Sequence, residues 1–130
     1  MRVLVVDDSK TMRRMIIKHL KQLGIPGIVE AADGREAIQE IVRLRKARSK
    51  LDLILTDWNM PTMTGLEFVK AVRQNGALKV PIIMITTNNT KQDVLAAIEA
   101  GIEGYITKPF TAETLRGKII ETLKKYHGLP

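Results

Sequence analysis

Residues 53–65 read Leu-Ile-Leu-Thr-Asp-Trp-Asn-Met-Pro-Thr-Met-Thr-Gly, and this stretch decides the fold class. An apolar run leads directly into Asp57, and a segment containing Pro61 and Gly65 follows. Such a run, bounded by polar residues, is typical of a strand buried on both faces of a parallel sheet. Ligands of open α/β sheets bind beyond the carboxyl ends of the strands, so Asp57 is a candidate for chemistry. The alternative is an Asp that only accepts backbone hydrogen bonds in the turn.

The length and composition of the chain limit the class of protein. The chain has 130 residues, of which 45% are hydrophobic, and it contains no Cys. This length suits one domain spanning residues 1–130, and the lack of Cys excludes a disulfide framework and a thiolate metal site. No apolar run has the length of a membrane span or of a signal peptide. We expect a soluble, cytoplasmic protein without a membrane partner.

The charge balance raises the question of a nucleic-acid partner. Lys and Arg number 21 against 14 Asp and Glu, which gives a net charge of +7. However, the chain has one Trp, two Tyr and two Phe to stack on bases. The densest basic cluster, within residues 43–50, lies where a helix is predicted to end, and cations there complement the helix dipole. A solvated helix end is therefore favoured over a nucleic-acid interface.

Five apolar strands alternate with five amphipathic helices along the chain. The predicted strands are 2–6, 27–31, 51–56, 80–85 and 104–107. The predicted helices start at Ser9 or Thr11, Arg35, Thr64, Lys91 and Thr111, and the third ends near residues 75–76. Their apolar faces are predicted to include Met15, Val42, Leu95 and Ile120. The alternation predicts an α/β, flavodoxin-like fold, in which a doubly wound, five-stranded parallel sheet ordered 2-1-3-4-5 carries helices on both faces.

Polar side chains follow four of these strands. They are Asp7 and Asp8 after the first strand, Asp57 after the third, Thr86 after the fourth and Lys108 after the fifth. In the predicted order the first and third strands are neighbours, so the three carboxylates share one crevice. Acids so close together need a compensating cation, and Mg²⁺ prefers such oxygen ligands.

Together these side chains indicate a carboxylate nucleophile that forms an aspartyl phosphate. Lys108 can hold Asp57 ionised or receive a phosphate, and Thr86 can donate its hydroxyl to a phosphoryl oxygen. A dinucleotide enzyme is disfavoured and a P-loop enzyme excluded, because the first strand lacks a Gly-rich turn and no G-x-x-x-x-G-K-[ST] occurs. A small-molecule phosphatase remains as the enzyme alternative, although Asn59 stands where such an enzyme would place a general acid.

Three motifs resemble the receiver domains of two-component response regulators. They are Val-Val-Asp-Asp at 5–8, Asp-Trp-Asn-Met-Pro at 57–61 and Gly-Tyr-Ile-Thr-Lys-Pro-Phe at 104–110. Within that family, the chain is similar to the single-domain chemotaxis regulators. The resemblance implies a signalling switch and not an enzyme with its own substrate. A histidine kinase would phosphorylate it, and a flagellar motor switch protein or another output protein would bind it. A phosphate sink or relay receiver is the alternative, and a phosphatase is a further candidate partner.

The resemblance also assigns roles to individual residues. Asp57 is the phosphoacceptor, and Thr86 and Lys108 contact the phosphoryl group. Mg²⁺ is bound by the carboxylates of Asp8 and Asp57, by the backbone carbonyl of Asn59, and by Asp7 through water. The Lys108-Pro109 peptide bond is expected to be cis.

A switch and a partner face are implied in the same way. Tyr105 turns inward when the hydroxyl at position 86 is drawn to the phosphoryl group, although a half-buried strand tyrosine with a wet hydroxyl is the alternative. The partner face is expected to include Lys91, Val94, Ile98, Tyr105 and Lys118. Three departures from the family pattern stand out: a longer segment at 43–50, Thr64 in place of the usual Asp, and Asn88 in place of an acid. The last leaves the lifetime of the phosphoryl group open.

Overall fold

The computed structural model describes residues 1–74 and 78–127, in which five strands alternate with five helices. The strands are β1 (Arg2–Val6), β2 (Gly27–Ala31), β3 (Leu53–Thr56), β4 (Ile82–Thr86) and β5 (Gly104–Thr107). The helices are α1 (Lys10–Gln22), α2 (Gly34–Lys46), α3 (Gly65–Gln74), α4 (Lys91–Ala100) and α5 (Ala112–Tyr126). All strand pairs are parallel, in the order β2-β1-β3-β4-β5. The predicted fold class and strand order are confirmed.

The strand register brings the four polar strand ends to one edge of the sheet. Val6 pairs with Thr56, so that the next residues, Asp7 and Asp57, leave the sheet at the same level. Thr86 pairs with Thr107 in the same way, and the backbone N-H of Lys108 donates to the Thr86 carbonyl at 2.8 Å. The carboxyl edge of the sheet therefore collects these side chains.

The sheet separates two apolar layers. Alternate residues of each strand point to opposite faces, so Leu4 belongs to one layer and Val5 to the other. The first layer lies under α2, α3 and α4, with the fully buried Phe68 in it. The second lies under α1 and α5, around Leu20 and Leu115. Each such aliphatic or aromatic side chain contributes about 1.5–3 kcal/mol by its burial, so the two layers stabilise the sheet beneath the site.

Side-chain caps fix where the helices begin. The hydroxyl or carboxylate of the N-cap residue accepts a backbone N-H from the first turn at Ser9, Asp33, Thr90 and Thr111. Thr64 and Glu67 cap each other's backbone N-H at the start of α3. At the other end of α4, Gly101 takes the left-handed conformation, with φ of 114°. Of the two predicted caps for α1, Ser9 is the one used.

Two strands begin later than predicted. β3 starts at Leu53 and not at residue 51, and β4 runs over Ile82–Thr86 and not over 80–85. Leu51 and Val80 are buried, which explains the error, but ladder pairing starts only at Leu53 and at Ile82. The predicted end of the third helix, near 75–76, lies outside the described residues.

The predicted apolar helix faces were too wide. Met15, Val42, Leu95 and Ile120 are 37–49% exposed. Three of them directly follow or precede a buried residue, and neighbouring helix positions point about 100° apart. In α5, for example, Leu115, Ile119 and the polar Thr122 form the buried stripe, and Ile120 points away from it. Among the described helices, none is both long and apolar enough to cross a bilayer.

Candidate functional site

Three carboxylates meet at the carboxyl edge of the sheet. Asp7 and Asp8 follow β1, Asp57 follows β3, and each offers an oxygen atom within 4.8 Å of the others. Asp7 and Asp57 are buried, whereas Asp8 is exposed. We call this cluster the acid pocket. The topology therefore brings together the three acids that the sequence pattern singled out.

Lys108 enters the acid pocket from the end of β5. Its Nζ lies 2.9 Å from Asp7 Oδ2 and 3.2 Å from Asp57 Oδ2. Burial lowers the pKa of Lys108, but its hydrogen bonds and the charges of Asp7 and Asp57 outweigh burial and leave the pKa above its ordinary value. The ammonium therefore stays charged. The peptide bond from Lys108 to Pro109 is cis, as the family resemblance implied.

The Asp57 carboxylate is held in a fixed orientation. Its Oδ1 accepts the backbone N-H of Trp58 at 2.7 Å, while Oδ2 faces Lys108. Burial raises the pKa of Asp57, and the neighbouring Asp7 carboxylate raises it further. Lys108 and the Trp58 amide oppose this rise without cancelling it. Asp57 is thus a desolvated carboxylate whose ionised form would be stabilised by added positive charge.

The charge and the atoms of the acid pocket fit a hard divalent cation. Three carboxylates and the single ammonium of Lys108 leave two negative charges uncompensated. All the side-chain donors are oxygens, which Mg²⁺ prefers, and the exposed Asp8 keeps the cluster open to solution. The Asn59 carbonyl belongs to the exposed loop that follows Asp57. The residues expected to hold Mg²⁺ therefore suit it.

Gly65 permits the tight turn that follows Asp57. The backbone N-H of Gly65 donates to the Trp58 carbonyl at 2.7 Å, which closes the loop between β3 and α3. A Cβ at this position would overlap the backbone carbonyl oxygen of Asp57. Sequence reasoning treated Gly65 only as turn punctuation, although its place directly after the Asp57 loop was visible. It is a positioning element of the site.

Thr86 lies at the end of β4, but its hydroxyl engages a loop residue. The side chain is fully buried, and Oγ1 lies 3.2 Å from Asn88 Oδ1. The same Asn88 Oδ1 accepts from Asn59 Nδ2 at 2.8 Å. Sequence reasoning noted Asn88 only as a departure from the family pattern. The structure makes it a bridge between the loops after β3 and β4.

Tyr105, in the edge strand β5, also reaches Asn88. Its hydroxyl donates to the backbone carbonyl of Asn88, and its ring packs against the first apolar layer. Burial raises the pKa of Tyr105, and the charge of Asp93 adds to the rise. The phenol therefore remains a protonated donor at neutral pH.

The expected partner face lies along α4, β5 and α5. Lys91 and Ile98 are exposed, and Val94, Tyr105 and Lys118 are half-buried. A cleft of about 470 Å³ between α4 and α5 is lined by Ile98, Ile102, Glu103, Thr122, Lys125 and Tyr126. Of these lining residues, Ile98 is an exposed hydrophobic side chain, at 54% accessibility. The five residues thus belong to these three elements, and each keeps some access to solvent.

Comparisons with known proteins agree on one family. The model of the response regulator receiver domain family matches residues 3–120. Chemotaxis protein CheY1 of Helicobacter pylori is 46% identical over 120 residues, covering 92% of this chain and 94% of that protein. Chemotaxis protein CheY of Pseudomonas aeruginosa is 39% identical over 129 residues, covering 98% and 100%. The structure of chemotaxis protein CheY4 of Vibrio cholerae superposes with a TM-score of 0.81 at 39% identity, covering 93% of this chain and 97% of that one.

Proposed function

The chain belongs to the response regulator receiver domain family and is CheY-like. We propose that a histidine kinase phosphorylates Asp57 and that this phosphorylation changes the affinity of the protein for an output partner. One observation carries the proposal. The buried Asp57 carboxylate lies 3.2 Å from the Lys108 ammonium, with Asp7 and Asp8 beside it. The proposal assigns these side chains, which lie in one pocket, as the nucleophile, the cation for the phosphoryl oxygens and the metal ligands.

The transfer step follows from the two oxygens of Asp57. Oδ1 is held by the Trp58 amide, so Oδ2, beside Lys108, is the nucleophile. Oδ2 attacks the phosphorus of a phosphohistidine, a P–O bond forms, and the P–N bond breaks. The imidazole leaves with the bonding electron pair and takes up a proton. Lys108 then faces the phosphoryl oxygens, and Thr86 donates its hydroxyl to them from the β4 side.

Mg²⁺ in the acid pocket would neutralise charge on the phosphoryl oxygens during transfer. The carboxylates of Asp8 and Asp57 and the backbone carbonyl of Asn59 would hold it directly, and Asp7 would hold it through water. The support is the uncompensated negative charge and the all-oxygen donor set. The protein then promotes only its own phosphorylation and dephosphorylation and turns over no separate substrate.

The test measures how many phosphoryl groups a small donor such as acetyl phosphate transfers to each chain. The intrinsic fluorescence of Trp58 monitors the reaction. In the parent we expect about one acid-stable, base-labile phosphoryl group per chain. We expect Asp57→Asn to be labelled at least about 100-fold more slowly, because it lacks the nucleophile. Asp52→Asn, an equivalent change at the other edge of the sheet, should label like the parent. Equal labelling of Asp57→Asn would overturn the assignment.

The output partner is proposed from the chemotaxis relatives. A change in the packing of Tyr105 on phosphorylation would reshape the face that contains Lys91, Val94, Ile98 and Lys118, and a flagellar motor switch protein would bind there. A pull-down with a motor-switch peptide should retain more protein when Mg²⁺ and beryllofluoride, a phosphoryl mimic, are present. Equal retention with and without the mimic would instead indicate a phosphate sink or relay receiver.

A further inference from the structure

Asn88 contacts three residues that the proposed mechanism uses. Its side-chain Oδ1 lies 2.8 Å from Asn59 Nδ2 and 3.2 Å from Thr86 Oγ1. Its backbone N-H donates to Thr86 Oγ1 at 3.2 Å, and its backbone carbonyl accepts from the Tyr105 hydroxyl. One loop residue thus joins the loop after β3, the end of β4 and the edge strand β5.

The Thr86 hydroxyl has a single proton to donate. In the structure, that proton is donated to the carboxamide oxygen of Asn88, at 3.2 Å from Thr86 Oγ1. The Thr86 side chain is fully buried, so breaking its hydrogen bond to Asn88 without a new acceptor for the hydroxyl would cost free energy. A phosphoryl oxygen on Asp57 would therefore compete with Asn88 for the same hydrogen.

Asn59 keeps the competing acceptor in place. Its Nδ2 donates to the same Oδ1 of Asn88, so this oxygen uses both of its lone pairs on the two neighbouring side chains. This bond fixes the direction in which the Asn88 amide points, with the oxygen turned toward Thr86. The acceptor is thus oriented before any phosphoryl group arrives.

On the basis of the proposed function, we infer that the carboxamide of Asn88 is a positioning residue that withholds the Thr86 hydroxyl from the phosphoryl site. Phosphorylation of Asp57 then has to break the hydrogen bond between Thr86 and Asn88 before the protein can adopt its activated conformation. The bond biases the protein toward its unphosphorylated state. Tyr105 is bound to the backbone carbonyl of Asn88. The residue that sets this bias therefore contacts both the phosphoryl site and the expected partner face.

The inference predicts that removing the acceptor tightens binding of a phosphoryl mimic. The affinity for beryllofluoride in Mg²⁺ is measured by Trp58 fluorescence. We expect Asn88→Ala to bind the mimic about 3- to 10-fold more tightly than the parent, since one hydrogen bond no longer competes. Asn88→Asp, which keeps an acceptor oxygen, should not bind more tightly than the parent. Asn88 is half-exposed, so these variants are expected to fold.

A double-mutant cycle separates positioning from a general structural effect. In a Thr86→Val background, which keeps the volume but has no hydroxyl, Asn88→Ala should change the affinity less than about twofold. An equal gain in both backgrounds, or no gain with Thr86 present, would overturn the inference alone. If the parent gives no Mg²⁺-dependent response, or if Asp57→Asn binds the mimic equally well, the proposed function fails and the inference fails with it.

Discussion

Among the single residues, Asp57 occupies an environment that opposes its own charge. Burial and the neighbouring Asp7 raise its pKa above the ordinary 3.8, despite Lys108. The folded protein therefore binds this proton more tightly than the unfolded chain does. Stability from this group is present at low pH and is lost as the pH rises through the folded-state pKa. In the proposed transfer, the same desolvation would make the carboxylate a better nucleophile once a cation neutralises the pocket.

The first prediction concerns stability against pH in metal-free buffer. Asp57→Asn removes the charge that burial penalises, so at pH 7 the variant should melt a few degrees above the parent. The difference should shrink as the pH falls toward 3.8, the ordinary pKa of Asp, because the parent carboxyl is then neutral too. Thermal unfolding over that pH range measures it. Adding Mg²⁺ should narrow the gap at pH 7, and a variant less stable than the parent there would contradict the account.

The sequence revealed the charged residues of the site but not their polar connections. Asp7, Asp57 and Lys108 could be predicted to meet because each directly follows a strand, and parallel register aligns strand ends. The bond between Asn59 and Asn88 joins two loops 29 residues apart, and no periodicity encodes it. The assignment of Thr86 to the phosphoryl group stays a prediction, and the sequence did not reveal that its hydroxyl is bound to Asn88. Such bonds depend on loop conformation, which the apolar pattern does not determine.

At the scale of elements, the junction between β3 and α3 has little tolerance for added volume. Gly65→Ala would force a Cβ against the Asp57 carbonyl, so we expect a loss of about 1–3 kcal/mol in the free energy of unfolding. Because the loop would shift, the Trp58 response to Mg²⁺ should weaken as well. Urea unfolding and a Mg²⁺ titration measure the two effects.

Gly117→Ala is the matched control for that change. Gly117 is exposed within α5, and a Cβ there would meet no atom within 4 Å. The substitution should stabilise the protein by up to about 1 kcal/mol, because Ala is the better helix former. A destabilisation of equal size in both variants would show that the Asp57 contact is not the cause.

Elements were easier to predict than their surfaces. Caps such as Thr64 and Thr111, and the left-handed Gly101, act within one turn of chain, so short sequence motifs reveal them. The exposure of Val42 and Ile120 depends instead on which neighbouring element lies opposite. For an apolar residue at the margin of the buried face of a helix, the sequence does not reveal whether a neighbouring element covers it.

At the scale of the whole molecule, an ion pair ties the amino edge of the sheet together, away from the acid pocket. Arg73 of α3 donates to Glu103 Oε1 at 2.7 Å and to the Gly101 carbonyl at 2.9 Å. The same Glu103 oxygen accepts the backbone N-H of Ile82 at 2.7 Å. Burial raises the pKa of Glu103, against the opposing effects of the Ile82 amide and Arg73. The pair links α3, the turn before β5 and the start of β4.

Breaking this ion pair should destabilise the fold without disturbing the pocket. Arg73→Ala and Glu103→Ala should each cost about 1–3 kcal/mol, since each leaves a partly buried group without its partner. The double variant should cost less than the sum, because both changes remove one interaction. Urea unfolding provides the free energies. Beryllofluoride affinity should stay within about twofold of the parent, and a larger loss would mean that the two edges are coupled.

The ion pair of Lys108 with Asp7 joins residues 101 positions apart in the chain. During synthesis on the ribosome, the three acids emerge well before the lysine that offsets their charge. A nascent chain that has produced only β1 to β4 therefore lacks the lysine that pairs with Asp7 and Asp57 in the complete fold. On the proposed mechanism, the reactivity of Asp57 would then depend on the strand that is made last, because β5 delivers Lys108.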